Sequence, residues 1–256
     1  MERCDSGGGR GRLYVVGTGP GGLAHMTFAA ADAIKKSDVI IGYKTYLDLI
    51  KDLIPGREII SSDMTEEIER CKEAIKMAED GRTVSIVSGG DPGIYAMAGP
   101  IFELARAAGS KVRIEVIPGV AALNACASRL GAPIMHDFAA ISLSDLLTPW
   151  DIIEKRLKAA AASDLVITIY NPKSRRRKGH ITKARDIILE FRPAGTPAGI
   201  VTAAARSGEL VTLTSLGAMC DAEITMQSTV IIGNSLTFTW NNRMITPRGY
   251  KNKYSF

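Results

Sequence analysis

Short apolar runs alternate with stretches of helical periodicity along most of the chain, and this alternation constrains the fold more than any other feature. In the first half it predicts strands at 13–17, 39–42, 83–88 and 112–117, and helices at 27–36, 63–80, 98–108 and 120–130. The apolar runs are too short for helices and are bounded by glycine, proline or polar residues. Alternating strands and helices are typical of an α/β fold with a largely parallel sheet.

The second half begins with the same alternation and then changes character. Helices at 149–162 and 182–190 and strands at 165–170 and 199–203 are followed by short β-prone runs at 210–213, 230–232 and 244–245. The last runs leave little room for helices between them, which favours a mixed sheet with antiparallel strands. We therefore predict two α/β domains, at 12–118 and 119–250, with a hinge at 131–133 and an active-site cleft between them.

Composition points to a folded protein with an anionic partner. Of 256 residues, 46% are hydrophobic and 23% charged, which excludes wholesale disorder. The net charge of +5 favours nucleic acid, phosphate or polycarboxylate partners. Four scattered cysteines and three scattered histidines lack the spacing of a metal site, so we expect reduced thiols and no protein-bound metal. Without an export signal or an apolar run of ~18 residues, we expect a cytoplasmic protein that does not enter a membrane, with a flexible tail over residues 1–11.

The first glycine loop follows the first predicted strand directly. Gly17, Gly19 and Gly22 match the G-x-G-x-x-G spacing of dinucleotide-binding loops. Pro20 removes a backbone N–H, however, and no acidic residue ends the second strand, which disfavours a nicotinamide site. The glycines either cradle another ligand or only form a tight turn.

The second glycine loop, Ser-Gly-Gly-Asp-Pro-Gly at 88–93, also follows a strand. Such a density of glycine lets the backbone approach a ligand closely. Asp91 is a candidate for binding ribose hydroxyls and equally for capping the next helix. The sequence leaves these two roles of Asp91 open.

These two loops, followed by Ile-Pro-Gly-Val-Ala-Ala at 117–122, resemble the three segments that bind S-adenosylmethionine in the tetrapyrrole methylases. Other segments resemble the branch of that family that methylates carbon 17 of precorrin-3B or cobalt-factor III and contracts the ring. They are Gly-Tyr-Lys-Thr-Tyr at 42–46, the segment 136–150, Tyr-Asn-Pro-Lys-Ser at 170–174 and the segment 242–250. The resemblance spans about residues 12–250.

The resemblance implies a two-domain methylase fold, a homodimer and S-adenosylmethionine as the methyl donor. By position, the donor would be bound by Pro20, Gly89, Gly90, Asp91, Ile94, Ala121, Ala122, Tyr170, Asn171, Ala203 and Ala204. Tyr170-Asn171 replaces the family's frequent Tyr-Met, and Ala203-Ala204 lies near its Asn-Gly. Gly22 stands where many relatives carry an aspartate, so acid–base chemistry must come from other residues.

Methyl transfer needs orientation and exclusion of water more than a nucleophilic side chain, whereas ring contraction also needs proton transfers. His25 and Lys44 are the candidate catalytic residues: His25 because imidazole titrates near neutrality, and Lys44 as a partner for a substrate carboxylate. The alternative for His25 is that it only packs or faces solvent. Tyr43 and Tyr46 are candidates for contacting the substrate.

The run 173–178 carries five positive charges in six residues. It is either a solvated loop or an anion clamp, and as a clamp Arg175 and Arg176 would bind the carboxylates of a polycarboxylate tetrapyrrole, with or without cobalt. Three alternatives stay open: a tetrapyrrole methylase for another ring position, a ribosomal RNA methyltransferase of the same fold, and a non-catalytic tetrapyrrole carrier. One basic loop and 6% aromatic residues make a poor RNA platform, so we expect no nucleic-acid partner.

Overall fold

The computed structural model describes residues 11–63 and 66–255, which form two compact units. The first unit ends at Ala121 and the second begins at Ala122, a few residues after the predicted boundary. The predicted cleft stays a prediction. The predicted tail lies outside the described residues except for Gly11, where the prediction was wrong: Gly11 is buried against the backbone of Ala78 and Arg82, which leaves no room for a side chain.

The first unit is a parallel sheet, as the sequence predicted, and helices cover both of its faces. Its elements are β1 (Arg12–Gly17), α1 (Phe28–Lys36), β2 (Val39–Tyr43), α2 (Lys44–Leu49), β3 (Glu58–Ser62), α3 (Glu67–Glu79), β4 (Thr83–Ser88), α4 (Ala98–Ala107) and β5 (Arg113–Ile117). The strand order is β3-β2-β4-β1-β5 and all neighbours are parallel. Buried Leu13 and Ile86 belong to a core with α3 and α4, whereas Val16 and Ile40 belong to a second core with α1 and α2.

The start of α3 differs from the sequence prediction, which placed its N-cap at Asp63. The helix begins at Glu67 with Glu66 as the N-cap. The unpredicted strand β3 runs to Ser62, so the chain is still leaving the sheet at Asp63. The Asp63 backbone N–H donates to the Glu66 carboxylate at 2.9 Å. The two predicted partners are therefore hydrogen-bonded, although Asp63 is not the N-cap.

The second unit holds a mixed sheet, as predicted. Its elements are α5 (Ala122–Leu130), β6 (Gly131–Ala132), β7 (Phe138–Ser142), α6 (Trp150–Ala162), β8 (Val166–Tyr170), α7 (His180–Leu189), β9 (Pro197–Thr202), β10 (Leu210–Ser215), β11 (Ser228–Ile232), β12 (Phe238–Trp240) and β13 (Arg243–Ile245). The main sheet has the order β10-β9-β11-β8-β7. β7 and β8 are parallel, and β11 is antiparallel to both of its neighbours.

Two details of the second unit correct the sequence prediction. The run at 244–245 does not join the mixed sheet, because β13 pairs with β12 and β6 in a separate three-stranded sheet. The predicted hinge at 131–133 is largely β6, whose pairing with β13 fixes it within the unit. Ile153, Leu157 and Ile188 from α6 and α7 are buried with the strands of the main sheet. In the described part of the chain, no helix is long and apolar enough to cross a membrane.

Candidate active site

The first two glycine loops are joined by backbone hydrogen bonds at the carboxyl edge of the parallel sheet. They follow β1 and β4, which are neighbours in the sheet. Gly19 and Gly90 exchange hydrogen bonds of 3.1 and 2.7 Å, and both have positive φ, 79° and 68°, which favours glycine. The Thr18 N–H and hydroxyl both donate to the Ser88 carbonyl, at 2.9 and 3.1 Å. The two loops therefore form one rigid backbone surface.

The third loop, after β5, packs against the other two without room for side chains. A Cβ at Gly17 would lie 2.6 Å from the Gly90 oxygen and 2.7 Å from the Gly119 nitrogen. A Cβ at Gly119 would overlap the Gly90 oxygen and lie 2.7 Å from the Gly17 carbonyl. The three segments that the sequence singled out thus meet within the first unit.

Asp91 connects the second loop to the third. One carboxylate oxygen accepts from the Gly93 N–H at 2.8 Å and the other accepts from the Gly119 N–H at 3.1 Å. Capping of the next helix, one of the two roles left open, is wrong, because α4 begins only at Ala98. Each carboxylate oxygen can accept a further hydrogen bond, so contact with a ligand hydroxyl stays a prediction for the half-buried Asp91.

The structure brings the two predicted substrate tyrosines to the second loop. The Tyr46 ring lies over Gly89, where an added Cβ would come within 2.5 Å of the ring. Tyr43, the last residue of β2, meets Tyr46 edge to face with ring centroids 5.7 Å apart. Lys44 is the exposed first residue of α2. A glycine at position 89 is required because Tyr46 occupies the space of a side chain.

His25 is the last residue of the 3₁₀ turn Leu23–His25, which directly follows the first glycine loop along the chain. A Cβ at Gly19 would lie 2.7 Å from the His25 carbonyl oxygen, so the turn packs directly against the loop. The imidazole is half-buried and has no hydrogen-bond or ion-pair partner among the residues that the structure describes. Pro20, between Gly19 and this turn, is buried.

In the second unit, the predicted donor residues lie at the end of the mixed sheet where β8 and β9 terminate. β8 and β9 are both antiparallel to β11, so Tyr170 and Ala203 follow strands that point the same way. The Tyr170 hydroxyl accepts from the Leu123 N–H at 2.9 Å, which places the start of α5, at Ala122, near this end of the sheet. Asn171 donates from its side-chain amide to the Ser142 hydroxyl at 2.9 Å.

Backbone strain is concentrated at the predicted donor segments. Four of the seven non-glycine residues with positive φ in the described part of the chain lie in or beside these segments: Tyr95 (52°), Asn171 (50°), Ala203 (51°) and Ala205 (59°). Each such residue costs of order 1–3 kcal/mol and persists at sites that the surrounding structure fixes. Asn171 is the most unusual, because a residue before proline is normally extended. Ala204 and Ile94 adjoin the strained residues.

Sequence reasoning missed two residues at these edges. The Ser88 hydroxyl is buried at the base of the second loop and finds no hydrogen-bond partner among the described residues. Its position as the last residue of a strand before a glycine loop was the available signal. Arg177 is buried at 8% exposure, whereas Arg175 and Arg176 are exposed as either interpretation of the basic run requires. No pattern in the sequence distinguishes these three arginines from one another.

The two buried thiols among the described residues, Cys71 and Cys126, are not poised for nucleophilic chemistry. Burial raises the pKa of Cys71 to about 12 and that of Cys126 to about 11, so both stay protonated near neutrality. Within residues 11–63 and 66–255, no group of three or more His, Cys, Asp and Glu side chains is placed to bind a metal ion. The prediction that the protein holds no metal of its own stays a prediction.

The first unit carries three interlocked glycine loops at the carboxyl edge of its parallel sheet, and the second has strained backbone at its strand ends. Together these features are typical of an α/β enzyme with a site for a small-molecule donor. The family model described as tetrapyrrole (corrin/porphyrin) methylases matches residues 12–220, and the chain belongs to this family of S-adenosylmethionine-dependent methyltransferases. The resemblance found in the sequence is thereby confirmed.

Individual relatives agree with this assignment. The chain is 48% identical over 238 residues to a probable cobalt-factor III C(17)-methyltransferase of Salmonella typhimurium, covering 93% of this chain and 99% of the relative. It is 52% identical to the cobalt-factor III methyltransferase of Priestia megaterium, covering 96% of this chain but only 46% of that protein. The chain therefore spans about half the length of one relative and nearly all of another. The crystal structure of the methyltransferase CobJ superposes with a TM-score of 0.84 at 34% identity, covering 93% of this chain and 100% of CobJ.

Proposed function

We propose that this protein transfers a methyl group from S-adenosylmethionine to carbon 17 of cobalt-factor III or precorrin-3B, with contraction of the ring. The observation that carries the proposal is the convergence of the three glycine-bearing loops at Gly17, Gly90 and Gly119. The substrate is inferred from the Salmonella relative, whose whole length the chain covers at 48% identity. That match favours methylation at carbon 17 over methylation at another position of the tetrapyrrole ring.

The residues of the site fit a donor with polar groups. The buried Ser88 hydroxyl lacks a partner among the described residues, and the first loop is open at Gly22, where a Cβ would meet nothing within 4 Å. Bound S-adenosylmethionine supplies an electrophilic methyl group. In the first unit, the proposed donor contacts are Pro20, Gly89, Gly90, Asp91 and Ile94. Gly90 and Asp91 also hold the loops in shape through their hydrogen bonds.

The remaining donor residues complete the proposal. Ala121 would act from the first unit and Ala122 from the second. At the end of the mixed sheet, Tyr170-Asn171 and Ala203-Ala204 would contribute mainly backbone groups, since the Tyr170 hydroxyl and the Asn171 amide already have protein partners. The strained backbone at Asn171 and Ala203 supports this assignment.

Acid–base chemistry in the ring contraction is assigned to His25, whose imidazole is not committed to a described partner. Lys44, Arg175 and Arg176 are exposed cations that would pair with substrate carboxylates. Tyr43 and Tyr46 would form an aromatic wall beside Gly89. A homodimer, a cytoplasmic location and the presence of cobalt in the substrate are part of the same proposal and follow from the resemblance and the composition.

Calorimetry with S-adenosylmethionine tests the donor site, and incubation with donor and either cobalt-factor III or precorrin-3B tests the reaction. We expect donor binding and a product with one added methyl group and a contracted ring, seen by mass and absorption spectra. His25→Gln should keep the donor affinity and slow contraction by about a hundredfold. Absence of donor binding would overturn the proposal, and methylation without contraction would remove its second half. Methyl transfer to ribosomal RNA would favour the alternative enzyme.

A further inference from the structure

Arg177 connects two loops that follow parallel strands of the second unit. One loop follows β7 and the other follows β8, and the two strands are the parallel pair of the mixed sheet. The Arg177 guanidinium donates through one terminal nitrogen to the Asn171 carbonyl at 3.3 Å and through the other to the Ser144 hydroxyl at 3.2 Å. Its side chain is 9% exposed. The planar guanidinium directs its two terminal nitrogens to two separate acceptors, which suits this bridge. The ammonium group of a lysine is a single point charge and lacks this geometry.

The first consequence concerns Asn171, one of the proposed donor residues. Its φ of 50° is strained for a non-glycine residue before a proline. Two contacts hold it in this conformation: the Ser142 hydroxyl accepts from its side-chain amide, and its carbonyl accepts from Arg177. Arg177 therefore supplies the backbone half of the restraint.

The second consequence concerns the two exposed arginines. The Ser174 N–H donates to the Arg177 carbonyl at 3.1 Å, and the Arg177 N–H donates to the Ser174 hydroxyl at 3.0 Å. These bonds close a four-residue turn with Arg175 and Arg176 at its tip, both exposed. Because the Arg177 side chain is anchored inward, the turn presents the other two guanidinium groups outward from a fixed base.

The buried charge of Arg177 has an acidic neighbour. Asp145 lies 3.9 Å from a terminal nitrogen of Arg177 and also pairs with His180, the first residue of α7, at 2.8 Å. A buried cation is tolerated when it is paired and hydrogen-bonded. Asp145 thereby allows Arg177 to remain charged between the loops after β7 and β8 and to hold both of them.

We propose that Arg177 is a positioning residue for the methyl transfer. It acts through Asn171 on the donor segment, and through the closed turn it orients Arg175 and Arg176 toward the carboxylates of the tetrapyrrole. The inference rests on the proposed function, and it divides the three arginines of the basic run into one internal anchor and two substrate contacts.

The test compares Arg177→Lys with Arg156→Lys, the same exchange at an exposed position of α6. In Arg177→Lys we expect a Kd for S-adenosylmethionine and a KM for the tetrapyrrole each raised about tenfold, since one charged hydrogen bond is lost. The double variant Arg175→Gln with Arg176→Gln should raise only the KM and leave the donor Kd unchanged. Arg156→Lys should match the unaltered protein in both constants.

A readout independent of activity is trypsin cleavage within 173–178, followed by mass spectrometry. Opening of the turn in Arg177→Met should speed cleavage after Arg175 and Arg176 about tenfold relative to the unaltered protein. An Arg177→Lys protein with unchanged Kd, KM and cleavage rate would overturn the inference. A rise in Kd and KM that only follows a general loss of folded protein, measured by urea unfolding, would overturn it as well. If the unaltered protein fails to bind the donor, the proposed function fails, and the cleavage rates still decide whether Arg177 anchors the turn.

Discussion

Single glycines in the interlocked loops have different physical roles, and substitution separates them. Gly119→Ala would place a methyl group against backbone atoms of Gly90 and Gly17, which cannot move aside as a flexible side chain can. We expect a loss of about 1–3 kcal/mol in the free energy of unfolding, with weakened donor binding. Gly22→Ala is the matched control: its Cβ meets nothing within 4 Å and its φ is −63°, so we expect a gain of about 0.4–1 kcal/mol. Urea unfolding of both variants checks the opposite signs, and equal effects would contradict the packing argument.

The same residues show how far sequence reasoning reaches at this scale. The spacing of Gly17, Gly19 and Gly22 was compatible with a ligand loop or with a tight turn, and it treated the three glycines alike. In the structure Gly17 is required for space, Gly19 both for its φ of 79° and for space beside the His25 carbonyl, and Gly22 for neither. The difference arises from contacts with loops far along the chain, which spacing cannot show. Arg177 was missed for the same reason, since its partners lie on another loop.

At the scale of elements, the start of α5 depends on a hydroxyl from a different strand. The Leu123 N–H in the first turn of α5 donates to the Tyr170 hydroxyl at the end of β8. Tyr170→Phe keeps the ring and removes this acceptor, so we expect a loss of about 1 kcal/mol in stability. Faster hydrogen exchange in the first turn of α5 would accompany it. Tyr254→Phe, at a residue that is 53% exposed, should change neither quantity. Unchanged exchange at α5 in Tyr170→Phe would refute the capping role.

Which elements could be predicted depended on how much of their stabilisation is local. β4 matches its predicted span of 83–88 because its apolar run is buried between two neighbouring strands. β3 and β7 were missed because most of their residues are exposed or half-buried, so their sequences carry a weak apolar signal. α2 was missed because it follows β2 without a loop. For the two strands, a partner distant in sequence supplies the hydrogen bonds.

At the scale of the whole molecule, the two compact units have separate cores, and each unit contains one buried cysteine among the described residues. Cys71 on α3 is fully buried in the first unit, and Cys126 on α5 is 2% exposed in the second. Burial raises the pKa of both thiols above the 9.0 of an exposed cysteine, so the folded protein loses stability as the pH rises above 9, where only the unfolded thiols ionise. Labelling at pH 8, about one unit below the 9.0 at which the unfolded thiols ionise, avoids this effect.

Iodoacetamide pulses at increasing urea concentrations, read by mass spectrometry, therefore follow the two units separately. Gly119→Ala should lower the urea midpoint for Cys71 labelling more than that for Cys126, because its steric clash lies in the first unit. Tyr170→Phe should do the opposite, since the lost hydrogen bond lies in the second unit. Labelling requires exposure of the thiolate, which each core prevents until it opens. Equal shifts of both midpoints in both variants would show that the cores unfold as one cooperative structure, despite their separate packing.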